Sequence, residues 1–373
     1  MKNISDSPIL TSPLHAELAK AIGSAGGWLG FDDFMALALY QPGLGYYAKD
    51  SRKFGLMPAQ GGSDFVTAPE MSPHFGRTLA HQVAEALDAT GTAEVWEFGA
   101  GSGALAQQIL DALGPKVERY TIMDLSSALR ERQRERLAAH AGKVAWASEL
   151  PAQLRGVVLG NEVLDAMPIK LLARLNGIWH ERGVAMHQGH FAYADRPTDL
   201  RPPLDVPGAH DYLTEIHPQA EGFIRTLADR LVLGAIFLLD YGFPEHEYYH
   251  SQRTMGTVMC HRAHLSDGDA LADVGDKDIT AHVNFTGIAL AGQDAGLEVL
   301  GYTSQGRFLL NCGLLNGLDS GTDAASLARR AMAQKLVNEH EMGELFKVIA
   351  FGAKGRPVWT PLGFSAGDRL HTL

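Results

Sequence analysis

The chain has 373 residues, which at ~150 residues per domain sets a prior of about two domains. With 46% hydrophobic and 20% charged residues it is a folded sequence, not a disordered one. Thirty-two Lys and Arg against 43 Asp and Glu leave a formal charge of −11, which argues against general nucleic-acid binding, where a basic footprint is needed, and suits a cationic partner.

In chain order, the opening MKNISDSPILTSPLHAEL has no apolar stretch of signal-peptide length. Trp28, Phe31, Phe34, Met35, Leu37 and Leu39 sit at helical spacing. The helix they predict must end at LYQPGLGYYAKD, where Pro42, Gly43 and Gly45 forbid its continuation. SRKFGLMPAQGGSDFVTAPEMSPHFG is too long for a simple connector and has the texture of a functional or disordered loop. A helix should follow from about Ser72 to Leu87. From residue 94 strands and helices alternate: EVWEFG, GALAQQILDAL, RYTIMD, LSSALRERQRERLAA, VAWAS and GVVLGNE, then LVLGAIFLLDYG, LEVLGYTS and ELFKVIAFGAKG. Seven of these segments read as strands, which predicts a doubly wound, mainly parallel α/β sheet. The longest apolar run, Leu231–Leu239, is about half the ~20 residues of a spanning helix and suits a central strand. Two cysteines, Cys260 and Cys312, exclude a disulfide framework and a Cys-rich metal site and suit a reducing compartment. These signs together predict a soluble, cytoplasmic protein without membrane insertion.

Two segments break the rhythm. Residues 169–215 alternate like hairpins, and 243–280 are rich in His, Tyr, Asp and Gly. Both follow a strand, so both should emerge at the carboxyl edge of the sheet, where ligands bind. With the N-terminal segment they are read as a substrate-side lobe. The division expected is 1–90 as an N-terminal segment serving cofactor and substrate, 91–168 and 216–355 as the core, and 169–215 and 243–280 as insertions.

The strongest local signal is Glu97-Phe98-Gly99-Ala100-Gly101-Ser102-Gly103, between a predicted strand and a predicted helix. Glycines permit a tight turn, and a helix N-terminus offers free N–H groups to an anionic group. Gly99, Gly101 and Ala104 also satisfy a dinucleotide fingerprint. A carboxylate at Glu97 suits the amino group of S-adenosyl-L-methionine and repels a pyrophosphate, or it is a buried structural hydrogen-bond acceptor. Asp124, closing the second strand, can hold ribose hydroxyls for either cofactor or cap the helix that follows.

Asn161-Glu162-Val163-Leu164-Asp165-Ala166-Met167-Pro168 follows the fourth strand. Glu162 and Asp165 there can clamp a guanidinium or an amide, or Asp165 can simply bond backbone. Asp240 either completes the pocket floor or orients a turn. His261 and His264 lack a second cluster at ligand spacing, so no metal is expected. His282 is a candidate for lining an acceptor site, or else a satisfied structural histidine. There is no GxSxG elbow and no P-loop.

LYQPGLGYY, DFVTAPEMSPHFG, EFGAGSGALA, NEVLDAMP and DITAHVNF resemble, in order, the blocks of the MidA family of class I S-adenosylmethionine-dependent methyltransferases, over about residues 13–353. Mitochondrial members of that family are complex I assembly factors that symmetrically dimethylate an arginine. The resemblance implies a seven-stranded class I sheet with Asp64, Phe65, Thr67 and Pro69 against the cofactor. Glu97, Gly99, Gly101 and Gly103 would form the cofactor turn, with Asp124 and Ser126 completing the site. It puts the catalytic neighbourhood on Asn161, Glu162 and Asp165, with His282 beside the acceptor by analogy. Asp124-Leu125-Ser126 stands where the family more often has Glu-Pro-Ser, Ser63 where a Gly is usual, and HRAHLSDGD lacks the family's Asp-Asp-Pro.

The reading is an S-adenosylmethionine-dependent methyltransferase acting on a protein arginine, with an NADH dehydrogenase subunit as the partner the resemblance implies and a homodimer left open. An NAD(P)-dependent oxidoreductase and a catalytically silent, cofactor-binding assembly factor are the alternatives.

Overall fold

All seven anticipated strands form one sheet: β1 Glu94–Phe98, β2 Arg119–Met123, β3 Val144–Ala147, β4 Leu154–Asn161, β5 Leu231–Phe243, β6 Glu298–Ser304 and β7 Phe346–Gly352. This computed structural model describes residues 12–49, 67–124, 126–262, 265–318, 320–356 and 358–373. The strands run in the order β6-β7-β5-β4-β1-β2-β3. Five neighbours, β5-β4-β1-β2-β3, are parallel, whereas β7 is antiparallel to both β5 and β6.

The apolar texture of these strands has a simple cause. Successive side chains point to opposite faces, and both faces are covered by helices. Val95, Val157, Leu159, Phe237 and Leu239 enter one core with Phe75, Leu79 and Ile109. Trp96, Val158, Ile236 and Leu238 enter the other with Ile224, Leu227 and Ile288. The helix Pro73–Thr90 starts as its sequence demands, with Pro73 in the first turn and the Ser72 hydroxyl accepting from the His74 amide at 3.3 Å. It stops at Gly91, whose φ of 63° closes the last turn.

The segment 169–216 forms antiparallel strands Lys170–Leu175, Ile178–His187, His190–Pro197 and Tyr212–Ile216, with Leu29–Gly30 joining the strand Ile178–His187. A second small sheet pairs Met259–Arg262 with Leu265–Asp267 and with Asp278–Thr280. The helices Pro13–Ser24 and Phe31–Tyr40 share one hydrophobic core with both insertions, built from Leu18, Phe34, Leu171, Val184, Cys260 and Ile279. The helix Pro73–Thr90, by contrast, packs on the main sheet. The LYQPGLGYY loop doubles back on its helix: the Tyr46 and Tyr47 amides donate to Ala38 and Leu39 carbonyls at 2.9 and 2.8 Å. Gly45 makes this approach feasible, since a Cβ there would lie 2.6 Å from the Gln41 nitrogen. No helix among the described residues is long and apolar enough to cross a membrane.

Candidate active site

The strand order reverses between β1 and β4, which are adjacent although about sixty residues separate them in sequence (Phe98 pairs with Gly160). Such a switch point leaves a crevice at the carboxyl ends of the strands. Here it is part of a cleft of about 1410 Å³, which brings the glycine turn and the acidic turn together.

At one end lies the turn after β1. Gly99, Gly101 and Gly103 have φ of 61°, 51° and 83°, a region L side chains rarely enter. A Cβ on Gly99 would also lie 3.1 Å from a Val163 methyl. The helix Ala104–Leu113 begins directly afterwards. Gln133, fully buried, ties the second strand to this turn: its amide nitrogen donates to the Gly101 carbonyl at 2.9 Å and to Asp124 Oδ2 at 2.8 Å. Asp124 is not the cap of the following helix. That role belongs to Ser126, whose hydroxyl accepts from the Leu129 amide at 3.3 Å, while Asp124 Oδ1 accepts from the Ser126 amide at 2.9 Å. Glu97 is 2% exposed and accepts from the Tyr120 hydroxyl at 2.7 Å. Burial pushes its carboxyl up to about 7, against the pull of the Tyr120 bond. The segment around Thr67 and Pro69 is clamped to the turn: Gln108 donates to the Pro69 carbonyl at 2.7 Å, and Arg136 bridges Glu70 and Ser102 at 2.7 and 2.5 Å. Thr67, Pro69, Asp124 and Ser126 all line the cleft. Asp64 and Phe65 lie outside the described residues.

At the other end is the turn after β4. Glu162 has a φ of 55° without being glycine, a conformation that costs on the order of 1 kcal/mol and persists only where its surroundings enforce it. Asp240 does the enforcing. Its Oδ2 accepts from the amides of Val163, Leu164 and Asp165 at 3.2, 2.9 and 3.2 Å. Of the two roles open to Asp240, orienting a turn is the one observed. The turn holds Asn161, Glu162 and Asp165 against the cleft. The Asn161 amide nitrogen donates to Glu162 Oε1 at 3.0 Å, and the Tyr241 hydroxyl donates to Asp165 Oδ2 at 2.5 Å. Asn161 Oδ1 and Asp165 Oδ1 are buried with no hydrogen-bond partner. Buried acceptors are normally satisfied, so these two are open to donors from outside the chain.

The electrostatics are unusual for so small a volume. Burial, reinforced by Asp165, pushes the Glu162 carboxyl up to about 8, although the group faces the cleft and is only partly covered. Burial likewise raises Asp165 to about 6, and Asp240 is held well above the usual carboxylate range by burial and by its two acidic neighbours. Glu162 is thus largely protonated near neutral pH, and a cation bound beside these carboxyls would favour their ionised forms.

The segment DITAHVN, which runs from the strand Asp278–Thr280 of the small sheet to Val283–Asn284 paired with β5, supplies a third wall. Asp278, Thr280 and His282 line the cleft, and Ile279, Ala281 and Val283 enter hydrophobic cores. The segment is pinned to the acidic turn by the Ala281 amide, which donates to the Asp165 carbonyl at 3.0 Å. His282 sits between Tyr241 and Phe243, with ring centroids at 5.1 and 5.2 Å. Burial lowers its imidazole to about 4, so the ring is neutral at physiological pH, and its Nδ1 is buried without a partner. Sequence reasoning singled out His282 but not Asp278, Tyr40, Tyr47 or Gln133. The period-two alternation was the available signal for Asp278. For the tyrosines and Gln133 no local pattern existed. Among the described residues no group of three or more His, Cys, Asp or Glu is placed to hold a metal ion; His264 lies outside them.

A solved structure from Burkholderia thailandensis, bound to S-adenosyl-homocysteine, is 48% identical, covers 98% of this chain and 100% of its own, and superposes with a TM-score of 0.91. A native structure from the same organism gives 47% identity, 98% and 100% coverage and a TM-score of 0.87. The Danio rerio protein named protein arginine methyltransferase NDUFAF7, mitochondrial, is 27% identical over 91% of this chain and 88% of its own length. Its Homo sapiens counterpart is 26% identical over 85% and 78%. A family model described as S-adenosyl-L-methionine-dependent methyltransferase matches residues 78–303, more than half of the chain, and so decides against the dinucleotide reading of the glycine turn. The chain belongs to this family of S-adenosyl-L-methionine-dependent methyltransferases.

Proposed function

We propose that the chain methylates a guanidinium nitrogen of arginine in a protein substrate, using the glycine-turn end of the cleft for the donor and the acidic-turn end for the acceptor. The observation that carries the reading is the pair Glu162 and Asp165, presented by one enforced turn to the same cleft as the glycine turn. The relatives named as protein arginine methyltransferases support the acceptor class. The partner implied by the family resemblance, an NADH dehydrogenase subunit, is the acceptor we would test first.

The residues fit the donor. Three left-handed glycines leave backbone open where side chains would intrude, and Glu97, Asp124 and Ser126 offer acceptors for an amino group and a ribose. Thr67 and Pro69 would close that end of the cleft, and Asp64 and Phe65 are assigned there by resemblance. When bound, the donor supplies a sulfonium-activated methyl group for an in-line displacement. Catalysis by the protein is then mainly positioning.

The acceptor poses the harder problem. An arginine guanidinium has a pKa above ~12 and is a poor nucleophile while protonated. Glu162, in the ionised form that a bound guanidinium cation favours over the neutral one, is assigned the proton that leaves the reacting nitrogen as the new N–C bond forms. Asp165, steadied by Tyr241, fixes the orientation of the guanidinium, and Asn161 holds Glu162 in place. His282, being neutral, lines this end without repelling the cation.

The test is to incubate the purified protein with methyl-labelled donor and a lysate of its host, then identify the labelled protein and residue. The expected result is labelled methylarginine that falls about 100-fold or more in Glu162→Gln, while affinity for S-adenosylhomocysteine stays within about threefold. Unchanged incorporation rejects the role of Glu162. No incorporation by the unaltered protein, despite tight binding of S-adenosylhomocysteine, would favour a silent assembly factor.

A further inference from the structure

Resting on the arginine reading, one group in the cleft remains without a role. Asp278 is 2% exposed, yet its side chain is on the cleft face of its strand. The Tyr47 hydroxyl donates to both its oxygens at 2.8 Å. The ring of Tyr47 stacks on that of Tyr40 at 5.6 Å and 22°, and the Tyr40 hydroxyl donates to the Ala166 carbonyl at 2.8 Å, one residue beyond Asp165. Both rings line the cleft. The segments that meet here, residues 40–47, 165–166 and 278–281, belong to three distant parts of the chain.

A guanidinium carries five N–H donors in one plane. One nitrogen must stay open to the methyl group, and in a site shielded from water the remaining donors need acceptors of their own. The 162–165 turn supplies one side. The partnerless Oδ1 of Asp165, on a residue 5% exposed, points independently to a missing donor at this spot. The planar cation also has two faces, which aromatic rings attract.

We propose that Asp278 is a second acceptor-binding carboxylate, with the Tyr40–Tyr47 pair as the aromatic wall beside it, so that the site selects a flat, multiply donating guanidinium. Asp278 therefore binds substrate, and the anchoring bond from Tyr47 fixes where its charge sits. Glu162 remains the group that takes the proton.

Three forms of the full chain test this: unaltered, Asp278→Asn and Asp278→Glu. Each is saturated with S-adenosylhomocysteine and titrated calorimetrically with acetyl-Gly-Arg-Gly-amide and with the same peptide carrying citrulline, the neutral isostere. Asparagine retains one oxygen for the Tyr47 hydroxyl, removes the charge and exchanges the other acceptor for an N–H donor. The readout is the arginine-to-citrulline affinity ratio, which a merely weakened fold leaves alone. That ratio should fall about 30-fold or more in Asp278→Asn and be largely kept in Asp278→Glu. A ratio in Asp278→Asn equal to that of the unaltered protein overturns the proposal and leaves the arginine reading standing, as does an equal loss in both variants. A ratio near one in the unaltered protein overturns the arginine reading itself, and the proposal with it.

Discussion

The end of the cleft proposed for the donor is made mostly of backbone, the end proposed for the acceptor of side chains gathered from far-apart stretches of chain. At the first end, three glycines with positive φ turn β1 into its helix within a few residues, so the shape is set mainly by local chain geometry, with Gln133 as a tie from outside. At the other end, Glu162, Asp165 and Tyr241 come from the adjacent strands β4 and β5, and Tyr47 and Asp278 are brought to them by the loop after the helix Phe31–Tyr40 and by the small sheet. A site built from backbone tolerates almost no change in the residues that form it, but depends little on the rest of the fold. A site built from converging side chains depends on every element that carries one. The acidic turn stands between the two kinds: its strained Glu162 is local, but the carboxyl that stabilises it comes from β5.

The contrast can be broken in three places. The largest effect is expected from Gly99→Val, which places a branched side chain at a φ of 61° and against Val163. Affinity for S-adenosylhomocysteine measured by calorimetry should drop about 100-fold or more; a change under about threefold would show that the turn is not backbone-limited. Next comes Asp240→Ala, which strips an acceptor from three amides of the acidic turn. It should lower stability by about 1–3 kcal/mol. Methyl transfer should fall about tenfold, with donor affinity nearly unchanged. Equal losses at both ends of the cleft would mean the two are one mechanical unit.

The smallest effect is in pH dependence. Glu162 ionises near 4.5 in the unfolded chain and at about 8 in the folded one. The folded state therefore holds the extra proton between these values, and its contribution to stability declines as pH rises through that window. Glu162→Gln removes the ionisable group. Its melting temperature should exceed that of the unaltered protein by roughly 2 °C or more at about pH 8.5 and match it near pH 4.5. Parallel melting curves at all pH values would show that the cleft does not hold this carboxyl neutral. Glu97, raised to about 7 by burial, contributes a slope of the same sign from the donor end.

The amino-acid sequence by itself determined the main sheet. Its seven strands are buried on both faces or flanked by helices with one apolar side, so their signal is local and periodic. The glycine turn was legible for the same reason, since positive φ leaves glycine as the economical residue. The acidic pair at 162 and 165 was visible because it follows a strand within a few residues. What tertiary structure alone decided is which distant groups face one another. The antiparallel placement of β7, the tie from Gln133 to the glycine turn, the service of Asp240 to another strand's turn and the bond from Tyr47 to Asp278 all join residues far apart in the chain. No periodicity encodes such pairings, because they are set by how packed layers close over one another and by the need of each buried polar group for a partner.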